Sequence, residues 1–384
     1  VVKDTIQRYA EGVVVEITSE RAGAQEIQVR VSGLDADRAA DDGGRLRSAI
    51  NFLALNPRVR ISETVLLNTC AVEMGLGTGG VDFVVCRLSE PAAFEAPAGH
   101  IMKLRYTPLQ HPVLSVEAPE SPHHETMRSF EGLEECPVIC AELHSQLPAV
   151  CCGVRWGLRE AGRKSDARIV YVMTEGAALP IGLSRLLPRL KTLGMLQSTV
   201  TAGQAFGGDY EAVNLYSALA AARAVGEADV IVVGQGPGNV GTQTPLGFSG
   251  IEQGQAINAA TSLGGIPIIA PRISFADPRD RHQGISHHTL MVLQRVALAP
   301  ALIPLPKLPG EQLAAIRATL DAAGIEDLHQ TVVVSADRAY EELRKLDLNL
   351  TTMGRNIEQE RPFFLAALAA GVLAAQVVEA RTDE

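Results

Sequence analysis

Apolar and polar positions change rhythm once along this chain. Up to about residue 108 they alternate, or run β-branched, in short stretches: residues 12–18 (GVVVEIT), 26–31 (EIQVRV), 64–69 (TVLLNT), 82–86 (DFVVC) and 101–106 (IMKLRY). A period of two puts successive side chains on opposite faces of a strand, so these stretches predict half-buried strands. In the last of them Met102, Leu104 and Tyr106 would share one face, and Lys103 and Arg105 a solvated one. The Gly-rich run at residues 75–80 reads as a tight turn. A small barrel or sandwich fits the region.

Beyond residue 136 the strands change character. Fully apolar runs at residues 137–141, 168–173, 199–202, 229–233, 266–270, 302–305 and 331–334 alternate with helix-length segments. That is the pattern of a parallel sheet covered on both faces. The fold class expected is α/β: a β-rich N-terminal domain at residues 1–108, then a larger doubly wound, mostly parallel, Rossmann-like domain at 109–384. Residues 109–136, rich in Pro, Ser, Glu and His, read as a linker-like segment. The Ala-rich run 363–378 is shorter than the ~20 residues of a spanning helix and predicts a buried C-terminal helix.

Composition narrows the partners. Aromatic residues make up only 4% of 384, so Ala, Val, Leu and Ile must build the core, which favours close helix-on-sheet packing. The formal charge of −10 comes without a basic run, which argues against nucleic acid and against an anionic membrane. Six cysteines without a C-x-x-C pair read as buried thiols in a reducing compartment. With no secretory pattern legible at the N-terminus, the expected location is the cytoplasm.

In a parallel sheet, ligands bind beyond the carboxyl ends of the strands. Four polar clusters follow strands there: Thr174-Glu175-Gly176, residues 203–209, residues 234–242, and residues 272–277. The second ends in Asp209, which reads either as the N-cap of a helix over 212–225, with Glu211 as its dipole partner, or as a carboxylate ligand at the site edge. The third contains a G-x-G-x-x-G match at Gly236, Gly238 and Gly241. With Gly234, Asn239 and Thr242 it forms a candidate anion cradle, the alternative being a structural loop. A helix start at Ser249, in a capping-box pattern with Glu252, and the lack of a ribose-binding acid after the next strand both disfavour NAD or flavin. Arg272, Arg279 and Arg281 can clamp a carboxylate or phosphate, or simply pair with Asp277 and Asp280.

Histidines concentrate near the fourth cluster. Ser286 is a plausible N-cap that places His287 and His288 in the first turn of a helix, with His282 and Asp277 within reach if the loop folds back. Neutral imidazoles there can ligate a divalent transition metal such as zinc, manganese or iron(II), or serve as bases. No H-E-x-x-H spacing, nucleophile elbow or P-loop is present.

Several long stretches resemble a bacterial family known only as a domain of unknown function, DUF3866: residues 66–80, 99–106, 171–180, 205–213 and 281–289. The likeness spans the chain and implies no activity. Two functional readings come from the residues themselves. One is a metal-dependent hydrolase or transferase acting on a small anionic metabolite, phosphorylated or nucleotide-like. The glycine loop and arginines would hold the anion, and His282, His287, His288, Asp277 and Asp209 would do the chemistry. The other is a non-catalytic ligand-binding or regulatory protein using the same cleft. Assembly into a homo-oligomer is compatible with both.

Overall fold

The computed structural model describes residues 8–31, 44–77, 79–88, 98–163 and 167–382, and divides into two compact units, Val1–Val113 and Leu114–Glu384. In the first, β1 (Tyr9–Arg21), β2 (Ala24–Val31), β3 (Arg45–Phe52), β4 (Thr64–Asn68) and β5 (Asp82–Arg87) close a barrel in the order β1-β2-β3-β5-β4. Its neighbours are antiparallel except for the parallel pair β3–β5. The helical turn α1 (Cys70–Glu73) precedes β5, and β6 (Ile101–Lys103) pairs with β7 (His111–Val113). Alternate residues Val14, Ile27, Val29, Val65, Leu67 and Val84 fill the barrel.

Two departures from the sequence pattern have local causes. Strand β3 carries a charge where an apolar residue would mark the inward face. Arg47 is buried and donates to Asp82 (Nη2–Oδ1 3.0 Å) and to Glu73 at 3.2 Å, so the period of two is hidden. Strand β6 stops at Lys103, because Leu104 and Tyr106 adopt positive φ (50° and 60°) and turn the chain. Lys103 is therefore buried rather than solvated, and Tyr106 is 98% exposed.

The second unit begins with α2 (His124–Arg128) and β8 (Pro137–Ala141), followed by α3 (Leu147–Glu160), β9 (Ile169–Thr174), α4 (Leu186–Thr192), β10 (Ser198–Thr201), β11 (Tyr210–Glu211), α5 (Leu215–Ala224), β12 (Val230–Gln235) and α6 (Glu252–Ser262). Next come β13 (Ile266–Ala270), a small ribbon of β14 (Ile273–Ser274) and β15 (Gly284–Ile285), α7 (His287–Met291), β16 (Leu302–Pro306), α8 (Gly310–Ala322), β17 (Gln330–Val334) and α9 (Asp337–Lys345). A second ribbon, β18 (Thr351–Thr352) and β19 (Arg355–Asn356), leads into α10 (Arg361–Thr382). Eight strands form one all-parallel sheet in the order β11-β10-β9-β12-β8-β13-β16-β17. The unit is thus Rossmann-like α/β. Its central strands are buried on both faces, as their unbroken apolar runs require.

The segment read as a linker is packed from Leu114 onward. Val116 donates to the carbonyl of Glu211 at 2.7 Å, Val213 donates to Glu117 at 2.9 Å, and Leu133 is fully buried. Helix α10 is the one described helix long and apolar enough to cross a membrane, but here it is a core helix packed on α3 and on β8, β13 and β16. Cys136, Cys140, Cys151 and Cys152 are buried, and burial pushes the Cys151 and Cys152 thiols up to about 12.

Helices α3 and α10 approach closely through glycines. A Cβ on Gly371 would sit 2.6 Å from the backbone nitrogen of Val154, and also against the carbonyl of Val150. Backbone cannot yield there as a side-chain tip can. Gly371→Ala is expected to cost about 1–3 kcal/mol despite alanine's better helix propensity. Gly310→Ala, with nothing within 4 Å of its added Cβ, should be neutral or stabilising in the same denaturant titration. Equal midpoints for the two variants would contradict the close helix contact.

Candidate functional site

The connection from β8 runs through α3 toward β9, and that from β12 runs through α6 toward β13 on the other side of β8. The loops leaving adjacent strands β8 and β12 therefore diverge. A crevice opens at the carboxyl ends of these strands, the usual ligand position in an open α/β sheet. Glu142 follows the last residue of β8, Gln235 ends β12, Thr174 ends β9 on the far side, and Arg272 lies just beyond β13.

The ribbon β14–β15 folds the 272–286 loop back on itself. Ser286 donates its N–H to the carbonyl of Arg272 at 2.8 Å, and Arg272 donates its own to Thr289 Oγ1 at 3.1 Å. Ser286 then caps α7, its hydroxyl accepting the N–H of His288. This brings three imidazoles together. The ring centroids of His282, His287 and His288 are 4.3–5.1 Å apart, and one nitrogen from each lies within 4.8 Å of the others. After one turn α7 passes into a π-helix, Val292–Val296, an irregularity common at functional sites.

Each ring is held from behind. His288 Nδ1 lies 2.7 Å from Glu142 Oε1, and its ring stacks flat on Phe248 at 3.9 Å with 2° between planes. His282 Nδ1 lies 2.8 Å from Ser286 Oγ. His287 Nε2 is buried with no hydrogen-bond partner among the described residues. Burial and the neighbouring Arg272 and Arg279 push His282 down to about 3; burial and His288 push His287 down to about 4. Both rings are neutral at pH 7, as ligation requires. Burial raises Glu142, but His288 and Arg272 outweigh it and hold the carboxylate ionised, its pKa lowered.

Behind the histidines lies an ion network that takes in several of the candidates. Asp277 is fully buried and accepts from Arg279 (2.8 and 2.7 Å), Arg355 (3.2 Å) and Arg272 (3.4 Å). Arg272 reaches on to Glu142 at 3.3 Å. Arg272 and Arg279 are thus neutralised by carboxylates rather than free to clamp a ligand. Asp277, held far below the usual carboxylate range chiefly by Arg279, faces three guanidiniums. Arg281 differs: it is exposed, makes no ion pair or hydrogen bond among the described residues, and its charge is felt by His287.

Asp209 belongs elsewhere. It accepts from the N–H and hydroxyl of Thr199 (2.7 and 2.8 Å) and pairs with Lys191. Four strand spacings of about 4.8 Å separate β10 from β13, which feeds the histidine loop. Nor does Asp209 cap α5; Asn214 does, with an extended backbone and a side chain that accepts the N–H of Ser217. Glu211, read as the dipole partner of that helix, instead accepts from Thr201 Oγ1 at 2.7 Å and from the N–H of Gly207 at 2.6 Å. Glu175 is exposed and accepts from the N–H of Gln204 at 2.5 Å.

The glycine loop is half committed. Gly234 and Gly236 are buried, and the Gly234 carbonyl accepts from Tyr171 Oη at 2.9 Å. The N–H groups of Val240 and Thr242 go to Ser249 Oγ and the Gly247 carbonyl. Ser249 is therefore no helix cap: its hydroxyl fixes the loop, donating to Asn239 Oδ1 at 2.7 Å, and a 3₁₀ turn leads into α6. The N–H groups of Gly238, Asn239 and Gly241 make no hydrogen bond among the described residues. Asn239 joins the loop to the histidines, donating to Glu142 Oε1 at 3.4 Å.

Glu142, Phe248, Gln235, Gln253 and Arg355 were missed by sequence reasoning. Glu142 had a signal: it is an acid directly after the all-apolar run 137–141, where a parallel strand reaches the ligand edge. Three of the other histidines have partners outside this cluster. His124 Nδ1 meets the Glu117 carbonyl at 2.8 Å, His329 bridges Ala301 and Leu293, and His144, pushed down to about 4 by burial, bonds Ser184 and Tyr171.

A barrel unit and a Rossmann-like unit with a histidine cluster at its carboxyl edge define an α/β protein. The chain belongs to the family described as Protein of unknown function (DUF3866), whose profile matches residues 48–371. No curated protein and no solved structure matches it.

Proposed function

We propose that His282, His287 and His288 hold a divalent transition metal and that the protein is a metal-dependent enzyme activating water against a small anionic substrate. The observation that carries this reading is the convergence of three imidazoles, two of which, His282 and His288, already have Nδ1 engaged. His288 Nδ1 faces Glu142 Oε1 and His282 Nδ1 faces Ser286 Oγ; in the tautomers with the proton on Nδ1, both rings keep an Nε2 lone pair for a metal. Carboxylate–histidine pairs of this kind orient ligands and raise their basicity. A small rotation of the rings brings the nitrogens to the spacing of about 3.4 Å that a tetrahedral ion with ~2.1 Å bonds needs.

Three protein ligands leave a position open, and a metal-bound water there would ionise near neutral pH. The anion would be held by the free N–H groups of Gly238, Asn239 and Gly241 and by Arg281. Neutral imidazole donors select zinc, manganese or iron(II) over magnesium or calcium. Untagged protein is expected to carry about one transition-metal ion per chain, lost on dialysis against a chelator and regained with zinc or manganese. Parent protein that neither carries nor binds such an ion, by elemental analysis and calorimetry, would overturn the reading.

A further inference from the structure

Beside the histidines, and independent of whether they hold a metal, lies a second constellation. A cavity of about 10 Å³, room for one water-sized sphere, is lined by Glu142, Thr174, Gln235, Glu252 and Gln253. Four of these residues are at least nine-tenths buried: Glu142 Oε2, Gln235 Oε1 and Gln253 Oε1 have no hydrogen-bond partner among the described residues, and Thr174 Oγ1 has only the Glu252 carboxylate within its reach. The amides cannot be turned round. Gln235 Nε2 donates to the Glu142 carbonyl at 2.9 Å, and Gln253 Nε2 to the carbonyls of Cys140 (2.8 Å) and Ala270 (3.2 Å).

Buried polar atoms are nearly always satisfied, so three orphan acceptors lining one small cavity, with the Thr174 hydroxyl beside them, call for a common partner. A water has two protons to give, and three of the four oxygens can only accept, so a single water leaves one unpaired. A cation is coordinated by all four. An oxygen-only set excludes softer metals, and magnesium keeps waters for which the cavity has no room.

Charge fixes the valence. The network behind the histidines contains three carboxylates, Glu142, Asp277 and Glu360, and three guanidiniums, Arg272, Arg279 and Arg355, and is balanced. Glu252 is extra. It accepts the N–H of Gly176 at 3.1 Å and the Thr174 hydroxyl, and has no cationic partner among the described residues. We infer that this cavity binds one dehydrated monovalent cation of sodium size, coordinated by Glu142, Thr174, Gln235 and Gln253, with Glu252 balancing its charge. The ion would draw the loops after β8, β9 and β12 together and fix the carboxylate on which His288 rests.

Melting of the chelator-treated full-length protein in sodium chloride, against choline chloride at equal ionic strength, tests this. Sodium is expected to raise the midpoint by several degrees in a saturable way. Thr174→Val keeps the shape and removes one coordinating oxygen. It should abolish most of the sodium response, read as the shift between choline and sodium for each protein, so that the lost hydrogen bond to Glu252 cancels. The sodium shift should be the same in chelator-treated and in zinc-reloaded protein, which separates this site from the transition-metal reading. A parent indifferent to sodium, or a Thr174→Val response equal to the parent's, overturns the inference. A crystal structure grown in sodium is decisive even if the variant fails to fold. Contacts from the occupant to all four oxygens, shorter than the ~2.7–2.8 Å of a water hydrogen bond, support it; contacts at that length to two or three mean a buried water only.

Discussion

The His287→Ala/His288→Ala double variant is expected to fold like the parent and to bind zinc or manganese at least about a thousandfold more weakly. Loss of a group that merely supports a ligand typically costs 10–100-fold, so loss of two ligands of three must cost more. Folding should survive because the cap on α7 is the Ser286 hydroxyl, which the substitutions leave in place. What the fold loses is the hydrogen bond from His288 to Glu142 and the stack on Phe248, together about 1–3 kcal/mol. Glu142 keeps Arg272 and Asn239 as partners, so no bare charge is left behind. Metal affinity by calorimetry and a thermal melt are read side by side. A double variant that unfolds, alongside a parent that binds no metal, would make these histidines structural and remove the main support for an enzyme.

The histidine cluster was legible because its parts are local. His282, Ser286, His287 and His288 lie within one loop and one helical turn, where capping rules and helix geometry operate on adjacent residues. The parallel sheet was legible for a similar reason: strands covered on both faces show as unbroken apolar runs, and β8 and β13 have the bounds their runs predict. Groups selected by long-range pairing were hidden. Glu142 meets His288 across 146 positions of chain, and Arg355 meets Asp277 across 78. Before the sheet is assembled, nothing distinguishes an arginine that clamps a ligand from one that neutralises a buried aspartate. The residues nearest the chemistry in sequence, Arg272, Arg279 and Asp277, therefore serve the architecture. Glu142, at the end of a strand far away in the chain, supports the histidines.

Asp277→Asn is expected to cause a large loss of stability, about 3–5 kcal/mol. The carboxylate is fully buried among Arg272, Arg279 and Arg355, and Asn offers the same shape without the charge. Arg279 and Arg355 are partly exposed and can turn to water, but Arg272, with 4% of its side chain exposed, cannot. At about 2–4 °C per kcal/mol for a unit of this size, the melting point should fall by roughly 6–20 °C. The sign with pH is fixed. The carboxyl of Asp277 titrates below its unfolded value of about 3.9, mainly because of Arg279. Its contribution is then fully present above that value and is lost as pH falls toward the folded-state pKa. Parent and variant should differ by a constant amount from about pH 5 to pH 8 and converge below about pH 4. The effect should also reach the histidines, since Asp277 holds Arg272, Arg272 holds Glu142, and Glu142 orients His288. Denaturant midpoints at pH 7 and pH 3 check the first part and metal affinity at pH 7 the second. A variant as stable as the parent at pH 7 would mean that the three arginines do not depend on this carboxylate, and the network would lose its role in positioning the site.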